Sequence, residues 1–98
     1  MGKYLILWDI EPSRLPVSRK ERAVGWKALL NFIKDDMKSG KTLDWGAFVG
    51  ELSGFSIMEV DEVEIGILLQ RFSPYVNFKV HPIAGIEDVE KVIEGMQK

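Results

Sequence analysis

His81 is the single histidine in this 98-residue chain. It is also the one side chain whose ordinary pKa lies near neutrality, which makes it the natural general acid/base or polar ligand contact. Such a histidine needs a carboxylate within hydrogen-bond reach. Glu59, near the end of an apolar segment, can supply it if folding brings the two to one face. Trp8, Trp45, Tyr75 and Lys79 complete the set of candidate ligand-binding residues around His81 and Glu59. The plainer reading is that His81 precedes Pro82 at a strand end and is solvated there, because a lone histidine is weak grounds for catalysis. No catalytic residue is assigned.

Other chemistries find no support in the residues. The chain has no cysteine, which removes disulfides, thiolate metal sites and cysteine nucleophiles together. Gly46, Gly50 and Gly54 fit neither the dinucleotide nor the phosphate-loop spacing. With one histidine, a metal site would need carboxylates and a second chain. The serines lack the context of a nucleophile elbow. No cofactor and no metal is expected.

Composition narrows the setting. A cysteine-free small domain points to a reducing compartment, hence the cytoplasm. The apolar run at 4–10 is too short to span a membrane, and no cleavage site follows it. Net charge is −2, which argues against neutralising a nucleic-acid backbone. The segment Gly54-Phe55-Ser56-Ile57-Met58-Glu59 also lacks the basic and aromatic signature of an RNA-binding strand. Basic residues cluster early (Arg14, Arg19, Lys20, Arg22, Lys27) and acidic ones late (Glu87, Asp88, Glu90, Glu94). This is the pattern of solvated helix faces, with docking to an acidic protein as the alternative.

The elements that must position these residues are readable from periodicity. Residues 3–10 form a short apolar strand, ended by Pro12 and Pro16. Ser18 with Glu21 is a capping box that opens the longest helix. Its stripe is Ala23, Trp26, Leu30, Ile33 and Met37, with Leu29 beside it, and Gly40 stops it. A second strand covers 42–50, Ser53-Gly54 marks a hairpin, and a third strand covers 55–60. Asp61 and Glu64 open a second helix that carries Ile65, Leu68, Leu69 and Phe72. A fourth strand runs over 75–81. Pro82 and Gly85 then lead into a terminal amphipathic helix with Ile86, Val89, Val92, Ile93 and Met96.

Strand, helix, strand, strand, helix, strand is the ferredoxin-like order. The expectation is one α+β domain over residues 1–98. Its four-stranded antiparallel sheet carries two helices on one face, and the opposite face has none of its own. Alternation puts Val76, Phe78 and Val80 under the helices and Tyr75, Asn77, Lys79 and His81 on the open face. In the first strand both parities are apolar. Leu5 and Leu7 are assigned to the helices, leaving Tyr4, Ile6, Trp8 and Ile10 on the open face, although the reverse also fits. Trp45, Ala47 and Val49 point either way. An open face this apolar marks an interaction surface. Two copies stacking such faces would enclose a cavity, a dimeric α+β barrel; the alternative is a monomer whose terminal helix folds back over the face.

The stretches Gly46-Ala47-Phe48-Val49-Gly50, Ser53-Gly54-Phe55 and Phe78-Lys79-Val80-His81-Pro82-Ile83 resemble a family of small bacterial and archaeal domains of unknown function. Members of that family open with a strand like Tyr4-Leu5-Ile6-Leu7-Trp8, turn at Ser-Gly-Phe and close on a strand ending in proline. The resemblance covers most of the chain. It implies a ferredoxin-like fold and a dimeric α+β barrel, and it brings no catalytic residues with it. His81 stands where a small polar residue such as threonine is expected.

Three functional readings follow. The first is a homodimer that binds a small, partly apolar ligand between its sheets. The second is a cofactor-free enzyme of the monooxygenase or isomerase kind found on dimeric α+β barrels, which rests on fold analogy alone. The third is a protein-interaction domain. Neither nucleic acid nor membrane is an expected partner.

Overall fold

In the computed structural model, which describes residues 2–98, the apolar N-terminal segment forms the central strand β1 (Gly2–Ile10). It pairs antiparallel with β3 (Ser53–Val60) on one side and with β4 (Val76–Ile83) on the other. Strand β2 (Thr42–Ala47) pairs with β3, giving the sheet order β2-β3-β1-β4. Helix α1 (Arg19–Lys38) connects β1 to β2, and α2 (Glu62–Gln70) connects β3 to β4. A short 3-10 turn (Pro12–Arg14) precedes α1, and α3 (Ile86–Met96) follows β4. This is the ferredoxin-like α+β arrangement with an added terminal helix.

Local chemistry sets the boundaries. The Ser18 hydroxyl accepts from the Glu21 amide at 3.4 Å, and the Asp61 carboxylate accepts from the Glu64 amide at 2.8 Å. Each satisfies a donor that the first helical turn would otherwise leave unpaired. Gly40 follows α1 at φ +79° and Gly50 turns the β2–β3 hairpin at φ +82°, conformations that cost a side-chain-bearing residue energy.

The core lies between the sheet and the helices. Tyr4, Ile6, Met58, Val60, Ile65 and Leu68 form one buried cluster, and Trp8, Phe72 and Val76 form a second. Trp26, Leu29 and Ile33 of α1 close over the second cluster. Val76 and Phe78 lie under the helices as alternation predicts, while Val80, farther along the same side of β4, stays exposed.

Strand β1 faces the opposite way from the expectation. Tyr4, Ile6 and Trp8 are buried against the helices, while Leu5 and Leu7 lie on the open face. The reason lies in the partner strands. Trp8 sits directly across from Gly54. A Cβ on Gly54 would meet the Trp8 ring at 2.4 Å and the Gly46 carbonyl at 2.1 Å. The bare backbone there is what lets an indole lie flat between sheet and helix. There Trp8 stacks on Trp45, with ring centroids 5.4 Å apart and planes 7° from parallel, and meets Trp26 edge-on at 6.1 Å. Its Nε1 donates to the Phe55 carbonyl at 3.3 Å. Trp45 thereby also belongs to the helix side.

Helix α3 does not return to the sheet. Every residue from 81 to 98 is exposed, including Ile86 at 81% and Met96 at 79%. The molecule is accordingly elongated, 60 × 25 × 21 Å, with a radius of gyration of 16.2 Å. A compact chain of this length reaches only about 13 Å.

Candidate functional site on the open sheet face

Antiparallel register fixes which side chains share the open face, because directly opposed residues point to the same side. Three rows cross β3, β1 and β4 in turn: Glu59–Lys3–Ile83, Ile57–Leu5–His81 and Phe55–Leu7–Lys79. A fourth row, Ser53–Asp9–Asn77, closes the end near the 3-10 turn. The centre of the face is thus Leu5, Leu7, Phe55 and Ile57, all half-buried, while Lys3, Lys79 and His81 are exposed around it. Phe48, from the hairpin, stacks on Phe55 with centroids 6.4 Å apart and extends the apolar centre toward β2.

The six sequence candidates divide among three places. His81, Lys79 and Glu59 lie on the open face. Trp8 and Trp45 lie in the core on the other side of the sheet. Tyr75 precedes β4 and lines a cavity on the helix side. His81 and Glu59 share a face, but β1 runs between their strands and they are staggered by one row. Two inter-strand spacings separate them by roughly 10 Å or more. They form neither a hydrogen bond nor an ion pair, so no His–carboxylate pair is assembled among the described residues of one chain.

Leu5, Leu7, Phe55 and Ile57 are the residues that the sequence reading missed. A signal for them exists. Lys3 and Asp9 share the parity of Leu5 and Leu7, and Glu59 shares that of Phe55 and Ile57. Charges at the ends of a parity mark the side that meets water.

Electrostatics at the sheet ends are local. Asn77 Nδ2 donates to Asp9 Oδ1 at 3.2 Å and to Glu11 Oε2 at 3.1 Å, and Ser13 donates to Glu11 Oε1 at 3.0 Å. These bonds from Asn77 and then Ser13 hold the Glu11 carboxyl below its usual range. At the other end of β1, burial raises the Tyr4 phenol above its usual range. The Glu62 carboxylate, which accepts its hydroxyl at 3.4 Å, adds to the rise.

Among the described residues no group of three or more histidine, aspartate and glutamate side chains is placed to hold a metal ion. No described helix is long and apolar enough to cross a membrane. No family model matches the chain, and no curated protein shows significant similarity to it.

Proposed function

We propose that the chain works as a homodimer whose open sheet faces meet, with α3 of each copy packed on the body of the other. A small, partly apolar ligand is held between the sheets. The observation that carries this reading is a pair of apolar surfaces on one chain that do not cover each other. The open face presents Leu5, Leu7, Phe55 and Ile57, and α3 presents Ile86, Val89, Val92, Ile93 and Met96 to solvent. An isologous two-fold pairing covers both at once.

Size and charge agree with that pairing. The exposed apolar side chains of α3 offer on the order of 600 Å² per copy; with the sheet faces added, two copies reach the roughly 1,200–2,000 Å² of a stable interface. Helix α3 carries Glu87, Asp88, Glu90 and Glu94 against Lys91 alone, whereas the β1–β4 side of the open face presents Lys3 and Lys79 against Asp9 alone. Opposite charges of this kind favour the correct encounter. His81 and Lys79 would be the polar contacts at the edge of an otherwise apolar ligand site. The resemblance to prokaryotic dimeric α+β barrels supports the same assembly, and the lack of cysteine suits a cytoplasmic setting.

Native mass spectrometry of the purified protein and of Leu7→Glu tests this reading. The expected result is a dimer that retains a small molecule, with both dimer and molecule lost in the variant. A monomer in both cases, with nothing retained, would overturn it.

A further inference from the structure

We propose a second, separate binding site: the cavity between the 3-10 turn, the first half of α1 and the end of α2 takes a small carboxylate with an aromatic or short aliphatic body. The cavity holds about 330 Å³. That lies within the range of small-molecule sites, which runs from roughly 300 to 1,000 Å³. It has room for roughly ten non-hydrogen atoms, taking about 30 Å³ for each water-sized unit.

Its walls define the class of ligand. Trp26, Leu29, Phe32, Phe72, Tyr75 and Val76 supply an apolar, ring-rich body. The charged residues lining it are Arg14, Arg22 and Arg71, with no carboxylate among the lining residues. Arg14 and Arg22, neither in an ion pair among the described residues, favour an anion beside the apolar body, and a planar guanidinium matches a carboxylate through two parallel bonds.

The three arginines are not equivalent. Arg71 is already committed. It pairs with Asp36, donates through Nε to the Leu68 carbonyl at 2.8 Å, and lies 5.2 Å from the centroids of both Phe32 and Phe72. Arg22 uses one terminal nitrogen on the carbonyls of Pro16 and Val17, at 3.3 and 3.1 Å. Its other donors have no partner among the described residues. The guanidinium of Arg14 has none at all there. The nearby Glu11 carboxylate feels the Arg14 charge but makes its hydrogen bonds to Asn77 and Ser13, so no ion pair ties up the guanidinium. Arg14 and Arg22 are therefore the pair available to a ligand carboxylate, while Arg71 fixes the rear wall.

Titration calorimetry with 4-phenylbutyrate and with 4-phenylbutanol, which has the same body without the charge, tests the assignment. It is paired with NMR shifts of the Trp26 indole, identified by Trp26→Phe. The acid should bind and shift the Trp26 signal with the protein mass unchanged. The alcohol should bind at least tenfold more weakly. Arg14→Gln should weaken the acid about tenfold, the loss of one charge-assisted contact, and leave the alcohol unaffected. Gly25→Leu, at a helical cavity position where an added Cβ meets nothing within 4 Å, should block both probes without disturbing the fold.

Absence of acid binding at millimolar concentration would overturn the site. So would equal binding of acid and alcohol, or full binding by the Arg14→Gln/Arg22→Gln double variant. Shifts confined to Leu5 and Leu7 would assign the probe to the open face. A fall in mass on binding would assign the cavity to an acidic segment of another copy. The contrast between acid and alcohol and the effect of the arginine variants do not depend on whether the sheet faces dimerise, so the two readings fail separately.

Discussion

Arg71, at the end of α2, grips Asp36, in the last turn of α1, through both terminal guanidinium nitrogens. The Asp36 side chain is only 9% exposed and that of Arg71 27%. The pair joins the ends of two helices that share no backbone hydrogen bond. Removing either partner strands the other's charge, and the more buried carboxylate suffers more. Arg71→Ala should therefore cost about 2–4 kcal/mol and Asp36→Ala somewhat less, with a coupling of about 1–3 kcal/mol in a double-mutant cycle read by urea unfolding.

Gly54→Ala tests the seat of Trp8. The added methyl would press on the Gly46 carbonyl as well as on the indole. A carbonyl in a paired strand cannot step aside as a side-chain tip can. Overpacking of this kind costs about 1–3 kcal/mol or more. Circular dichroism in the near ultraviolet should lose the Trp8–Trp45 signal along with the stability.

The contrast between these two sites shows what the sequence can convey. Ser18, Asp61 and Gly40 announce helix ends through chemistry within four residues, and the order of elements then yields the ferredoxin-like fold. The faces of β1 are not local information. Both of its parities are apolar, and the choice is made by Gly54, met across the sheet. Asp36 and Arg71 are 35 residues apart, so no spacing rule links them. His81 and Glu59 do share a face as their parity allows, but only the strand order shows that β1 lies between them. Tyr75 continues the alternation of β4 in sequence, yet its amide donates to the Phe72 carbonyl at 2.8 Å. That turn takes it out of the strand and into the helix-side cavity.

Glu11 supplies a pH dependence with a definite sign. Its folded carboxyl is held below the ordinary value of 4.5 by Asn77, then Ser13. The stability it contributes is present above 4.5 and is lost as pH falls through the lowered folded value. Glu11→Gln should be less stable than the native chain at pH 7. The difference between their urea midpoints should close on acidification below 4.5.

His81→Ala and Lys79→Ala should leave the urea midpoint of folding unchanged to within about 0.5 kcal/mol, because both side chains are exposed. On the proposed dimer, the loss should fall on ligand retention at the dimer edge. A loss of several kilocalories in either variant would mean that they support the fold instead.

Sedimentation equilibrium from 1 to 100 µM, on the native chain and on Leu5→Glu/Leu7→Glu, bears most directly on the proposed pairing of the sheet faces. The account predicts about twice the 11.2 kDa chain mass for the native protein. It predicts the single-chain mass for the folded variant, since both leucines lie outside the helix-side core. A native chain that sediments at 11.2 kDa across the whole range, with its apolar face and α3 open to water, would contradict it.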